Sequence, residues 1–364
     1  MNKIKAFLAR KGVVCSFRQY GVDALGAMAQ GLFCTLLVGT ILNTLGQQLH
    51  IGFLTAPVVS VGTVSYTVGG LASAMVGPGI AVAIGTALHC PPLVLFSLIP
   101  VGFAANAMGG AGGPLAVYAV TIIAAELGKL VSKETRIDIL VTPCVTVIAG
   151  IAVAQLIAAP IGTAARAVGL AIMWATELQP FFMGVLVSAL IGIALTLPIS
   201  SAAICAAFGL TGLAGGAAVA GCCAQMVGFA VMSFKENRWG GLVAQGVGTS
   251  MLQMPNILKN PRIWIPPTLA SMITGPLATC VFKLQMNGSP VSSGMGTCGF
   301  VGQIGVYTGW VSDIAAGTKA AITPMDWIGL VLICFILPAV LSMFFCRVLE
   351  KRGWIREGDM KLDL

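Results

Sequence analysis

The chain has 364 residues, of which 57% are hydrophobic and only 9% charged, with a mean hydropathy of +0.95. A soluble domain carries about 25% charged residues. A water-soluble fold this poor in charge could not cover its own surface, so the class is an all-α polytopic membrane protein. The net charge of +8 does not imply nucleic acid, because ten of the 20 Lys and Arg lie in the two tails (Lys3, Lys5, Arg10, Lys11, Arg18; Arg347, Lys351, Arg352, Arg356, Lys361). That distribution is the positive-inside pattern and predicts both termini on the cytoplasmic side of the plasma (inner) membrane.

In chain order, residues 1–20 read as a basic segment with interspersed apolar positions, suited to an interfacial helix or to a frayed tail. The first residues lack the short apolar core and small-residue cleavage site of a secretory signal. Spans are predicted over 23–45, 52–77 and 79–104, the last interrupted at His89, Cys90, Pro91 and Pro92. A glycine-rich run at 109–113 precedes spans at 114–131 and 138–160, and residues 161–178 read as an interfacial intermission. The second half predicts spans at 180–199, 214–232, 240–257, 264–283 and 324–346. Residues 286–318 are too rich in Gly, Ser, Gln and Thr for a lipid-facing helix; within them the glycine-dense stretch 287–305 reads either as a flexible loop or as a re-entrant hairpin whose backbone amides could cradle a hydroxyl-rich ligand. The total is about ten transmembrane helices with re-entrant or broken segments. The domain reading is 1–20 interfacial, 21–346 transmembrane (halves about 21–160 and 179–346), and 347–364 a cytoplasmic tail.

The interior charge is concentrated in two places. Glu126, Lys129, Lys133, Glu134, Arg136 and Asp138 fall within 13 residues, and Lys235, Glu236, Asn237 and Arg238 repeat the pattern Lys-Glu-x-Arg 102 residues after Lys133. Three predicted spans separate the copies, so they would face opposite sides. An inverted repeat is one reading; chance alignment of short charged loops in a Gly/Ala-rich chain is the other. The second tetrad also breaks the positive-inside pattern.

Few groups are available for chemistry. Glu126 sits inside the end of a span, with Lys129 and Lys133 on the same helical face. It reads either as a structural ion pair or as a carboxylate that binds a polyol or takes a proton. Glu236 with Asn237 is the favoured site: a carboxylate accepts hydrogen bonds from sugar hydroxyls and can serve as general base for a hydroxyl nucleophile. Gln253, Asn256 and Gln303, with Gln225, Gln245 and Asn106, are amides in apolar surroundings that act either as interhelical glue or as sugar ligands. His89 gains interest from the broken helix around it. The cysteines fall mostly within apolar helices, where they act as small hydrophobes, and no metal-ligand spacing or Walker motif occurs. No cofactor is implied.

Several of these segments together resemble a known family: 91–96, the glycines of 109–113, 125–143, 234–238, 248–256 and 294–303. The resemblance is to the membrane EIIC-type component of the bacterial phosphoenolpyruvate-dependent sugar phosphotransferase system, in the perfringolysin-regulator (PfoR-like) branch. It implies a homodimeric permease subunit that passes a sugar or polyol to a separate phosphocysteine (EIIB-type) protein for phosphorylation. It also implies a glutamate and a histidine near the sugar, for which Glu236 and His89 are the candidates. Two other functions fit the residues: a proton-coupled secondary transporter of a small polar solute, and a membrane sensor that regulates gene expression.

Overall fold

The computed structural model describes residues 7, 8, 10–13 and 16–362. These are almost entirely helical and divide into two compact units, residues 1–164 and 165–364.

The first unit begins with α1 (Arg18–Gln48). Residues 52–77, expected as a span, do not form one. A short antiparallel hairpin of β1 (Val59–Val61) and β2 (Val64–Tyr66) stands there, most of it exposed. The local sequence explains the difference: alternating Val, Ser and Tyr favours strands, and Gly62 at φ +60° makes the two-residue turn. Helix then resumes as α2 (Val68–Ala74) and α3 (Val76–Ala87), bent by 54° where they meet. Thr67 caps α2 by accepting the Gly70 N–H at 3.0 Å.

The expected span 79–104 also divides. His89, at φ +54°, ends α3 in the left-handed conformation, and Pro92 starts α4 (Pro92–Gly109). Gly110, at φ +52°, reverses the chain into α5 (Gly113–Val131). The register of this reversal is antiparallel, with Gly109 against Ala116 and Gly128 against Val94. The 40-residue apolar run Pro92–Val131 is therefore two rods folded together. Helices in this unit approach through small residues: a Cβ on Gly77 of α3 would strike the carbonyl of Gly102 in α4. Residues 161–176, expected as an interfacial intermission, are helical: α6 (Asp138–Thr176) contains Pro143 and Pro160 and passes from the first unit into the second at residues 164–165.

The second unit is built on α7 (Pro180–Thr196) and α9 (Gly212–Met232), with α8 (Ser201–Ala207) between them. α8 has only seven residues, which lets the chain return so that α7 and α9 run parallel. A Cβ on Gly221 would strike the Ser188 carbonyl, so these helices meet backbone to backbone. The expected span 240–257 is broken rather than continuous. α10 (Phe234–Val243) kinks at Arg238 (φ 52°, ψ −150°). A π turn (Ala244–Gly248), an extended Thr249 and a 3-10 turn (Ser250–Gln253) follow, and then α11 (Met254–Lys259). α12 (Ile265–Pro276) returns antiparallel to α7, as Thr279 donates to the Pro180 carbonyl and Ser188 to the Ser271 carbonyl.

Residues 286–303 fold back as expected. Met286 bridges Gly212, while the tip lays Gly296 against Cys222 in the middle of α9. α13 (Val301–Ala315) leaves that tip, and α14 (Pro324–Lys351) closes the unit. The core beneath the hairpin includes Val219, Cys223, Met286, Trp310 and Ile333. Among the described residues, five helices are long and apolar enough to cross a membrane, or six if α2 and α3 count as one bent span. That count takes Pro92–Val131 once, although it is the folded pair α4 and α5, and the remaining helices are shorter, which is where it departs from the expected ten.

Candidate functional site

The breaks in the second unit bring polar side chains to α9 at several levels. At the middle, Gln225 is fully buried. Its Oε1 accepts from Trp264 Nε1 at 3.0 Å and from Thr196 Oγ1 at 3.3 Å, and its Nε2 donates to Thr268 Oγ1 at 3.2 Å. Thr196 and Ser250 share a further hydrogen bond of 2.8 Å. Both acceptor positions and one donor of the amide are used, so the cluster fixes the junction of α7, α9, α12 and the broken 244–253 segment.

Gln303 lies near the same level, on α13. Its Nε2 reaches Cys223 Sγ at 3.2 Å, and its buried Oε1 has no hydrogen-bond partner among the described residues. A buried acceptor without a donor is costly, and a ligand hydroxyl would satisfy it.

At the far end of α9 the amides form a relay. Gln245 Nε2 donates to Ser233 Oγ (2.8 Å), Gln253 Nε2 to Gln245 Oε1 (2.9 Å), and Asn256 Nδ2 to Gln253 Oε1 (2.9 Å). The free edge of this relay, with Glu236 and Asn237, is turned to the backbone of residues 358–362. Glu236 accepts the N–H groups of Gly358 (2.9 Å) and Met360 (3.0 Å) on its two oxygens. Asn237 donates to the Met360 carbonyl and accepts the Leu362 N–H, both at 2.8 Å. Gln253 donates to the Met360 carbonyl (2.9 Å) and Asn256 to the Lys361 carbonyl (2.8 Å). Four of the side chains singled out in the sequence thus converge, and they converge on the chain's own C-terminal segment. Ile355 and Met360 anchor that segment, buried to 3% and 2% exposure.

The opposite end of α9 carries a cavity of 480 Å³, lined in part by Lys283, Asn287, Trp310, Asp313, Lys319 and Asp326. Asp313 accepts from Asn287 at 2.8 Å, and Lys319 pairs with Asp326 at 2.9 Å. α9 has 21 residues and is about 31 Å long, so the cavity and the tail cluster stand a membrane thickness apart.

The other two expected site residues belong to the first unit. Glu126 pairs with Lys129 at 3.0 Å, and Lys129 is itself 2% exposed and reaches the Gly12 carbonyl at 3.4 Å. This is the structural pairing that the helical spacing suggested, although Glu126 Oε2 is buried without a partner among the described residues. His89 is exposed at its helix terminus. The first charged tetrad is held by the N-terminal segment: Glu134 pairs with Arg10 at 2.7 Å and with Lys11. The hydrogen bond from Lys11, and then the charge of Arg10, hold the Glu134 carboxyl below its usual range. Among the described residues, no three His, Cys, Asp or Glu side chains gather as a metal site.

The family profile described as "Phosphotransferase system, EIIC" matches residues 22–362. The chain belongs to that family. The match takes in the broken segments, the amide relay and the C-terminal segment that covers it. No curated protein and no solved structure matches the chain. As an EIIC component it is a membrane-embedded permease subunit of a phosphotransferase system. Ser233, Thr196, Ser250, Trp264 and Thr268 went unnoticed in the sequence, since single hydroxyls and one Trp in apolar context carry no pattern. Residues 354–362 carry no sequence pattern beyond that of a charged tail.

Proposed function

We propose that this EIIC protein carries a sugar or polyol along α9 and delivers it for phosphorylation by a separate phosphocysteine protein. The observation that carries the reading is the succession of amides, hydroxyls and carboxylates beside one membrane-length helix, in a chain with only 9% charged residues. Substrate is received in the 480 Å³ cavity, where Asp313, Asn287, Gln285 and Lys283 offer the hydrogen-bonding groups that sugars use. Gln303 Oε1, an acceptor in search of a donor, takes a hydroxyl at mid-depth. Glu236, Asn237, Gln253 and Asn256 hold the sugar at the far end. There Glu236 accepts the proton of the attacking hydroxyl as the S–P bond of the phosphocysteine breaks and the new O–P bond forms. Lys235, Arg238, Lys259 and Arg262 near that end suit an anionic phosphoprotein.

In this reading that end is cytoplasmic, together with both termini, in the plasma (inner) membrane. The chain crosses about ten times, works as a homodimer, and stands nearest the perfringolysin-regulator branch. Glu134 pairs with Arg10 and Lys11 of the N-terminal segment and Glu236 holds residues 358–362, so in this reading both charged tetrads stand on the cytoplasmic side, which favours chance alignment over an inverted repeat; His89 and Glu126 serve the first half. Proton coupling has less support, because Glu126 is paired with Lys129 and both oxygens of Glu236 are engaged. The test is a thermal-shift screen of the purified protein against hexoses, hexitols and sugar acids, followed by uptake in vesicles with and without a phosphorylated donor protein. Stabilisation by a sugar, and uptake that needs the donor, support the reading. Uptake driven by a proton gradient without any donor would overturn it.

A further inference from the structure

We infer that residues 354–362 are an autoinhibitory plug, which competes with the sugar for Glu236, Asn237, Gln253 and Asn256. The inference rests on the proposal that these four side chains bind substrate.

All four spend their outward hydrogen-bonding groups on the tail. Glu236 commits both oxygens, Asn237 both its amide oxygen and its amide nitrogen, and Gln253 and Asn256 one N–H each, in six hydrogen bonds to residues 358–362. A peptide backbone and a polyol present the same alternation of donors and acceptors. A sugar therefore cannot reach these atoms until the tail leaves.

The tail is built to leave. α14 ends at Lys351, and Gly353 (φ +70°) and Gly358 (φ +95°) provide turns that other residues rarely adopt. Peeling away residues 354–362 therefore need not unwind a membrane helix. The segment carries two buried apolar anchors, Ile355 and Met360, and its remaining side chains are mostly charged or exposed. Nothing in its side chains matches the relay; the relay reads its backbone. Its local folding also ties it to the neighbouring loop, through Asn260, which donates to the Trp354 carbonyl (2.9 Å) and to Asp359 Oδ2 (2.8 Å).

A site blocked for most of the time shows an apparent affinity reduced by the fraction of time it is open. Two full-length variants unseat the tail without touching the relay. Gly358→Pro removes the N–H given to Glu236 and forbids φ +95°, and Met360→Asp places a charge at the buried anchor. Both are compared with the unaltered protein by thermal shift and calorimetry. The probes are glucose, mannose, galactose, fructose, N-acetylglucosamine, mannitol, sorbitol and galactitol, with and without a synthetic peptide of residues 352–362.

The plug predicts that both variants bind one or more of these probes at least about 10-fold more tightly than the unaltered protein. It also predicts that the peptide competes with the sugar in the variants. Equal affinity in all three proteins, with no effect of the peptide, overturns the plug. In that case Glu236→Gln separates the two ideas. Loss of binding keeps the site and discards the plug, and unchanged binding discards both. Binding of no probe by any of the proteins counts against the sugar site, and the plug falls with it.

Discussion

Glu236 and Met360 stand 124 residues apart in the chain, yet the Met360 N–H meets Glu236 Oε2 at 3.0 Å. The same carboxylate takes the Gly358 N–H on its other oxygen at 2.9 Å. Hydrogen bonds to a charged acceptor are worth about 1.5–3 kcal/mol each, so this one residue is the strongest single hold on the C-terminal segment. It is also the residue proposed to receive the sugar hydroxyl proton.

Replacing Glu236 with Gln should therefore abolish uptake while membrane insertion and dispersity in detergent stay normal. Vesicle uptake of the sugar found by thermal shift is the measurement, with insertion checked by alkaline extraction. Undiminished uptake would remove Glu236 from the site.

Gln225 answers a different question, about the scaffold. Gln225→Leu leaves the Trp264 N–H and the hydroxyl cluster of Thr196, Ser250 and Thr268 short of a partner in a buried place. Each buried group left unsatisfied costs about 1–3 kcal/mol. The variant should unfold at a lower temperature than the unaltered protein, in a way that added sugar does not restore. A midpoint equal to that of the unaltered protein would mean that the cluster is not structural.

Close helix approach should be as sensitive. Gly221→Ala in α9 sets a methyl group against the Ser188 carbonyl of α7, and Gly77→Ala does the same against Gly102 in the first unit. Overpacking of this kind costs about 1–3 kcal/mol. Both variants should show reduced yield and lower thermal midpoints. Gly240→Ala, which meets nothing within 4 Å, should not.

The N-terminal contact carries a pH dependence whose sign is fixed by its charges. The Glu134 carboxyl is held below its ordinary value of 4.5, chiefly by the hydrogen bond from Lys11 and then by Arg10. The contact is therefore fully present above about pH 4.5 and is lost as the pH falls through the lowered value. Amide protection in residues 10–13, taken relative to the intrinsic exchange rate at each pH, should fall in acid. In Glu134→Gln it should be low at every pH. Protection that does not vary with pH in the unaltered protein would rule the contact out.

The cavity supplies a last check. Asp313→Asn replaces a carboxylate that holds Asn287 at 2.8 Å and lines the proposed receiving site. Charge-assisted hydrogen bonds are roughly twice as strong as neutral ones, so KM for uptake should rise by about 10-fold with little change in maximal rate. An unchanged KM would place substrate reception elsewhere.

Much of this was open to view in the sequence. A chain with 9% charge must hide its backbone from lipid, and helices do that within single segments, so composition alone determined a helical membrane protein. Prolines and glycines act on their own dihedral angles, so the break at His89–Pro92, the reversal at Gly110 and the fold-back at 286–303 were marked locally. So was the pairing of Glu126 with Lys129, three residues apart. Other features depended on contacts that no short stretch records. The β-hairpin at 59–66 lay inside a long apolar run that reads as one span, and α6 continued where a pause was expected, because hydropathy summed over a window does not register a two-residue turn or locate a helix end. Above all, the tertiary structure decided what Glu236, Asn237, Gln253 and Asn256 face. They bind the N–H and C=O groups of residues 358–362, which every sequence possesses, so the tail carries no motif that announces its partner. Only the fold, by bringing segments more than 100 residues apart within 3.0 Å, assigns it that place.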